Sequence, residues 1–369
     1  VEMKIIYALD FEEEIWSLLG LFESAKYAAN ELVSRGLEFD QPELDLRAST
    51  IAYCVRQARE YFSASESISL LTRPLLLSYG MLNLVKAVVI MRLSPQSDLE
   101  NLFHKHGVSV DFSSIEGDLS DVRLSFQKYG VVPQLMESLQ EPLLVGGSVS
   151  LDQLLSQIPD LHDMYSLVYN KPSRTIPVNP MDYGYYPDVP REIDLHEFAD
   201  GLSALFGSLE VTGHVIQRFN QRFSVTSFAG APKTLKELGI LVRAISGKEY
   251  LRLGPILNGT PLLLGDASLC YLIVFCYGTL ARYKAVSWGR FTDPNQSHEA
   301  ELIEHSLRIC RHRFLHAVVD LLFNEEYEFR FYVEQSQKSK QELIDFIYDD
   351  LVRKLTRDIH RQLRGRGLL

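Results

Sequence analysis

The hexapeptide Arg311 to His316, RHRFLH, gathers the side chains in this chain best suited to chemistry on a phosphate. A guanidinium can hold a phosphate oxygen pair in its fork, and an imidazole titrates near neutrality, so the two together can cleave a phosphodiester without a metal. Residues 301 to 323 have the periodicity of one helix. Leu302, Ile303, Leu307, Cys310, Phe314, Val318 and Leu321 form an apolar stripe, while Glu301, His305, Arg308, His312 and His316 share the opposite face. On an ideal helix Arg311 lies about 140° round from His316, so the two converge only if the helix breaks or a second protomer completes the site. Three readings of this face stand open: a solvated surface, a phosphate site with Arg311, His312 and His316 as catalytic groups, or a metal held by His312 and His316 one turn apart.

Other charged groups sit where burial is expected. Residues 56 to 92 have the pattern of two apolar helices joined at Pro74, and the second, Leu75 to Arg92, is apolar nearly all round apart from Ser78, Tyr79, Asn83 and Lys86. An unpaired ammonium is costly to bury, so Lys86 with Asn83 points to a polar partner or ligand in the interior. Further on, Gly278 followed by Arg282 and Tyr283, with Trp288 beyond, suggests a small-residue helix contact and an inward arginine that needs an acid or a bound anion. The Pro- and Tyr-rich segment from Asn170 to Pro190 has the composition of an extended loop, whose Tyr183, Tyr185 and Tyr186 either clamp it to the core or stack on a base.

Ile15 to Leu32 with Trp16, Phe22 and Ser24; the hairpin from Arg56 to Arg92; His106, Gly107 and Val108; Ser150 to Tyr165; and Tyr277 to Trp288 make five ordered segments. Together they resemble the YaaC-like bacterial proteins. That resemblance carries no assigned chemistry, but it marks His106 as a candidate ligand-binding residue beside Lys86, Asn83, Arg282 and Tyr283. In the family pattern a proline follows the Arg-Tyr pair by two residues; Ala285 stands there in this chain, which implies continuous helix. The hairpin is also similar to HEPN domains, helical bundles that often act as metal-independent ribonucleases through an Arg-x4–6-His motif facing its copy across a dimer. This likeness implies that Arg311 holds the scissile phosphate, that His316 is acid or base with His312 assisting, that Lys86 or Arg282 lines the same interior, and that the protein is a homodimer. Arg191 with His196 and Arg353 with His360 have comparable spacing, so spacing alone does not select the pair.

Bulk properties narrow the classes. With 46% hydrophobic residues and a net charge of −11, the chain has ordinary globular composition and lacks the basic excess that duplex DNA binding requires. No basic-then-apolar leader opens it and its apolar runs are interrupted, so a cytoplasmic protein without membrane contact is expected. Cys54, Cys270, Cys276 and Cys310 lie in apolar patterns without metal-finger spacing, as reduced core residues do. Dinucleotide, P-loop, serine-hydrolase, zincin and EF-hand signatures are absent, and no cofactor or metal is expected.

The expected fold class is mainly α: a HEPN-like bundle of N- and C-terminal helices with a small β-containing insertion. Its parts are an N-terminal hairpin bundle (1–100), an irregular connecting region (101–190), the β-containing insertion (191–265) and C-terminal helices (266–369). Helices are expected from Phe11 to Gly36, Leu44 to Glu66, Leu75 to Arg92, Leu151 to Leu167 and Leu269 to Trp288, with a hairpin turn at Asn258 and Gly259. A last helix, residues 341 to 363, runs from acidic to basic in the order a helix dipole favours, or offers a surface to nucleic acid or an acidic partner. Together these features point to engagement of RNA or a nucleotide, with a ribonuclease as the catalytic form; the competing class is a non-catalytic module that binds another protein.

Overall fold

The computed structural model describes residues 3–8, 10–36, 38–92, 104–113, 115–181, 184–187, 214–219, 222–227, 240–257 and 260–331. The basic segment 341–363, the Asn258-Gly259 turn, and the Arg191/His196 and Arg353/His360 pairs lie outside these residues.

Strand β1 (Met3–Ala8) is followed by α1 (Phe11–Leu19), whose first N–H groups are capped by the Asp10 carboxylate, 2.8 Å from the Glu12 nitrogen. The single helix expected over 11–36 is interrupted. A short 3-10 turn ends at Ser24, which adopts extended geometry and caps α2 (Ala25–Ser34) through its side chain. Helix α3 (Gln41–Glu66), capped by Asp40, and α4 (Arg73–Arg92), with Pro74 in its first turn, form the hairpin the sequence indicated. Helix α4 is long and apolar enough to cross a membrane, but 72% of its apolar stretch is buried inside the protein, among α3 and the later helices Asp266–Tyr283 and Ala300–Phe323.

The connecting region is more regular than its composition suggests. Strands β2 (Val108–Asp111), β3 (Arg123–Phe126) and β4 (Ser148–Ser150) form an antiparallel sheet with α5 (Val131–Ser138) inserted between the last two. Helix α6 (Leu151–Leu155) begins in a capping box between Ser150 and Gln153; the chain tightens at Pro159 and resumes as α7 (His162–Tyr169), so the helix expected over 151–167 is two. The segment expected as a loop from 170 to 190 instead supplies β5 (Thr175–Met181) and β6 (Gly184–Pro187). They join β7 (His214–Phe219), β8 (Arg222–Ser227), β9 (Leu241–Arg243) and β10 (Glu249–Arg252) in an antiparallel sheet of order β7-β8-β6-β5-β10-β9. The expected turn at 258–259 is flanked by β11 (Ile256–Leu257) and β12 (Thr260–Pro261), paired antiparallel.

Helices α8 (Asp266–Tyr283), α9 (Ala285–Thr292) and α10 (Ala300–Phe323) complete the bundle, and β13 (Glu326–Phe331) returns to pair in parallel with β1. Contrary to the continuous helix expected at Ala285, the chain breaks at Lys284 (φ −133°, ψ 51°) without a proline. One core unites α4, α8 and α10 with α3, α5, α6 and the β2–β4 sheet, and it takes in all four cysteines as free thiols. Arg35 fastens two helix ends in it. Its guanidinium donates to Met91 O at 3.4 Å and to the Leu322 carbonyl, answering unpaired carbonyls at the C-termini of α4 and α10.

The larger sheet is bound to the helices by a buried charge cluster. Arg313 of α10 donates to Asp160 (2.7 Å), Asp266 (2.5 Å) and the Arg243 carbonyl (2.9 Å), and Asp266 also receives Arg252 of β10 at 2.9 Å. Arg252 and Arg313 are only 2% and 7% exposed. This cluster sets where α8 begins, and α8 forms one wall of the cleft described next.

Candidate ligand-binding site

Three elements enclose a cleft of about 280 Å³. Helix α4 contributes Leu75, Ser78, Tyr79 and Leu82, and α8 contributes Tyr271, Phe275, Gly278, Thr279, Arg282 and Tyr283. Each set falls at three- and four-residue spacing and so occupies one helix face. The segment around β2 closes the third side with His106 and Phe112. The two helices approach closely at Gly278, where a Cβ would lie 2.6 Å from Ser78 Oγ and 3.0 Å from the Pro74 carbonyl.

His106 is held by its own backbone. The Lys105 and His106 carbonyls accept from the Val131 and Val132 nitrogens (3.0 and 2.9 Å), satisfying the first N–H groups of α5. Gly130 (φ 135°) permits this junction, because a Cβ there would fall 2.4 Å from the Gly107 nitrogen. The imidazole tilts against Phe275 with ring centroids 5.1 Å apart, and its Nδ1 stands 3.4 Å from Tyr271 Oη. Partial burial depresses the His106 pKa, and the charges of Lys86 and Arg282 depress it further. Burial likewise pushes the Tyr271 hydroxyl upward. Both groups are therefore uncharged at neutral pH.

Arg282 does not turn inward as the sequence suggested. It lies exposed at the rim, where Nη1 donates to Tyr79 Oη at 2.8 Å and the guanidinium rests 4.9 Å from the Tyr283 ring centroid. Among the described residues it forms no ion pair with a carboxylate. Tyr79 is braced by a stack on Tyr61 at 5.7 Å, and Lys284 lies 5.0 Å from the Phe112 centroid. Among the described residues no aspartate or glutamate lines the cleft. Asp111, adjacent in sequence, accepts instead from the Ser113 nitrogen at 2.9 Å. Lys86 lies one turn beyond Leu82 on the same α4 face and contributes through its charge at His106, whereas buried Asn83 is outside the lining.

The Arg311 and His316 side chains do not form a pair. Arg311 donates through Nε to both Glu12 oxygens (3.0 and 2.9 Å), through Nη1 to Phe62 O and Ser65 Oγ (3.1 and 2.9 Å), and through Nη2 to Glu12 and Glu66. Its donors are consumed in joining α10 to α1 and α3, and these acids of its own chain occupy the place assigned to a phosphate. His316 Nε2 lies 2.6 Å from the Tyr327 carbonyl, and its ring packs edge-on to Phe329 at 5.2 Å. His312 lies edge-on to Phe11 at 6.0 Å, with both ring nitrogens buried and, among the described residues, lacking hydrogen-bond partners. Burial is the main cause of its lowered pKa, with His316 and Arg313 adding to it. The face expected to be solvated is thus covered in part by α1 and β13. Among the described residues no group of three or more His, Cys, Asp or Glu is placed to hold a metal.

Of the candidate ligand-binding residues named from the sequence, His106, Arg282 and Tyr283 line this cleft, and Tyr79, Tyr271, Phe275 and Phe112, which were not candidates, line it as well. The usable signal was the repeat Tyr271, Phe275, Thr279, Arg282, an aromatic-to-basic stripe on one helix face. In comparison with known proteins, the model of the YaaC-like protein family matches residues 20–322. No curated protein and no solved structure matches.

Proposed function

The chain belongs to the YaaC-like protein family, and on that footing we propose that the α4–α8 cleft binds a nucleotide-class ligand, an aromatic ring carrying a phosphate. The observation that carries this reading is the combination of an acid-free aromatic cleft with an unneutralised guanidinium at its rim. Tyr79, Phe112, Tyr271 and Phe275 offer ring faces and edges for a base. Arg282 retains N–H donors in the planar array that suits a phosphate, and Lys86 adds positive potential from within. His106 and Tyr271 form an uncharged pair able to donate and accept at a base edge. At about 280 Å³ the cleft stands at the small end of ligand pockets and suits one nucleotide.

Nothing in the arrangement favours cleavage at Arg311, whose guanidinium is committed to Glu12 and Glu66. The nucleotide reading is therefore one of binding.

Calorimetric titration of the purified full chain with adenosine, AMP and inorganic phosphate tests it. AMP is expected to bind more tightly than adenosine, and Arg282→Ala to weaken AMP by about tenfold to a hundredfold, the usual worth of a hydrogen bond to a charged group. Equal affinity for adenosine and AMP, or an Arg282→Ala variant that binds AMP like the wild type, would contradict the proposal.

A further inference from the structure

Beyond the cleft, Tyr283 stays 60% exposed with the Arg282 guanidinium over its ring, and Val286, three residues on, is 90% exposed. An isolated exposed apolar side chain needs no explanation. Here, however, the ring both lines the mouth of an acid-free cleft and lies between Arg282 and Lys284, a cation on each side in sequence. The break at Lys284 ends α8 just after Tyr283, so this rim is the end of the wall that carries Tyr271 and Phe275. A pocket of about 280 Å³ suits one nucleotide and leaves a second outside.

We infer that the occupant is the end of a single-stranded RNA or a dinucleotide, with one base in the cleft, the next base stacked on Tyr283, and the linking phosphate at Arg282. This rests on the nucleotide reading of the cleft and extends it from a monomer to a chain. Stacking of a base on an aromatic side chain is tolerant of sequence, so the outer position discriminates little among bases. The acid-free cleft and its flanking cations supply the charge complementarity that the overall net charge of −11 does not.

The test compares AMP, the dinucleotide pApA and a five-nucleotide oligoadenylate RNA on the full chain, using wild type, Tyr283→Ala and Tyr283→Phe. The quantity measured is the ratio of AMP to pApA dissociation constants. Wild type and Tyr283→Phe are expected to favour pApA by about tenfold or more, as one stacked base does, and Tyr283→Ala to bring the ratio near one. A wild-type ratio near one with AMP bound would overturn the inference and leave the nucleotide reading standing. A ratio unchanged in Tyr283→Ala would also overturn it, since the second base would then lie elsewhere. Failure of all three probes to bind would remove the nucleotide reading, and the inference with it.

Discussion

Replacing Asp266 with alanine is expected to destabilise the protein by about 3–5 kcal/mol, the usual result of breaking a buried ion pair by removing one partner. Asp266 is the shared acid of the cluster: Oδ1 accepts from Arg252 at 2.9 Å and Oδ2 from Arg313 at 2.5 Å. Burial works against its charge, but Arg313 and Arg252 overcome this and hold the carboxyl down at about 2. Without it two buried guanidinium groups compete for what remains, Asp160 and the Leu264 and Arg243 carbonyls. A depressed carboxylate contributes stability above its unfolded value of 3.8, and that contribution is lost as pH falls toward 2. Urea unfolding at pH 7 checks the magnitude; a loss below about 1 kcal/mol would mean that the cluster does not anchor α8.

The second large effect has the opposite sign. Glu141→Gln is expected to stabilise the protein at pH 8 by up to ~3 kcal/mol, because burial holds the folded carboxyl well above its unfolded value. Glu141 Oε1 accepts from the Gly265 nitrogen at 2.7 Å at the start of α8, while Oε2 is sealed from solvent and, among the described residues, has no hydrogen-bond partner. Burial raises this carboxyl from 4.5 to about 7, despite the Gly265 N–H and the nearby Ser268 hydroxyl. A raised carboxyl binds its proton more tightly in the folded state, so its contribution is fully present below pH 4.5 and is lost as pH rises through 7. Glutamine keeps the acceptor for Gly265 and never ionises. The gap between variant and wild type should be widest at pH 8 and closed near pH 4.5. His106, His162 and His312, all depressed first by burial, act in the other direction as pH falls below 6.5, but they are common to both proteins and cancel in the difference. Melting curves of the pair at pH 5, 6.5 and 8 measure this, and a gap constant with pH would show that Glu141 does not titrate in this range.

The helices were legible in the sequence where apolar spacing was strong. The all-round apolar α4 was expected to lie at the centre of the molecule and does, and the stripe on α10 faces the core. Local periodicity says nothing about partners far away in sequence, which is why the parallel pairing of β1 with β13 was hidden. That pairing carries Phe329 onto the face where His316 was expected to meet solvent. Likewise, Arg311 had the composition of a phosphate ligand until Glu12 and Glu66 arrived from α1 and α3. The strands β5 and β6 were masked by prolines, which usually signal loops. Arg282 was recognised, but the direction of its side chain depends on Tyr79 across the cleft and on the break at Lys284, and neither is a local property.

Photo-crosslinking of the full chain with 8-azido-AMP, followed by mapping of the modified residues, tests the central claim most directly. Label on Tyr79, His106, Tyr271 or Tyr283, competed away by unmodified AMP and diminished in Arg282→Ala, is the expected result. Label confined to α10 around His312 and His316, or spread over the surface without competition, would contradict a nucleotide site in the α4–α8 cleft.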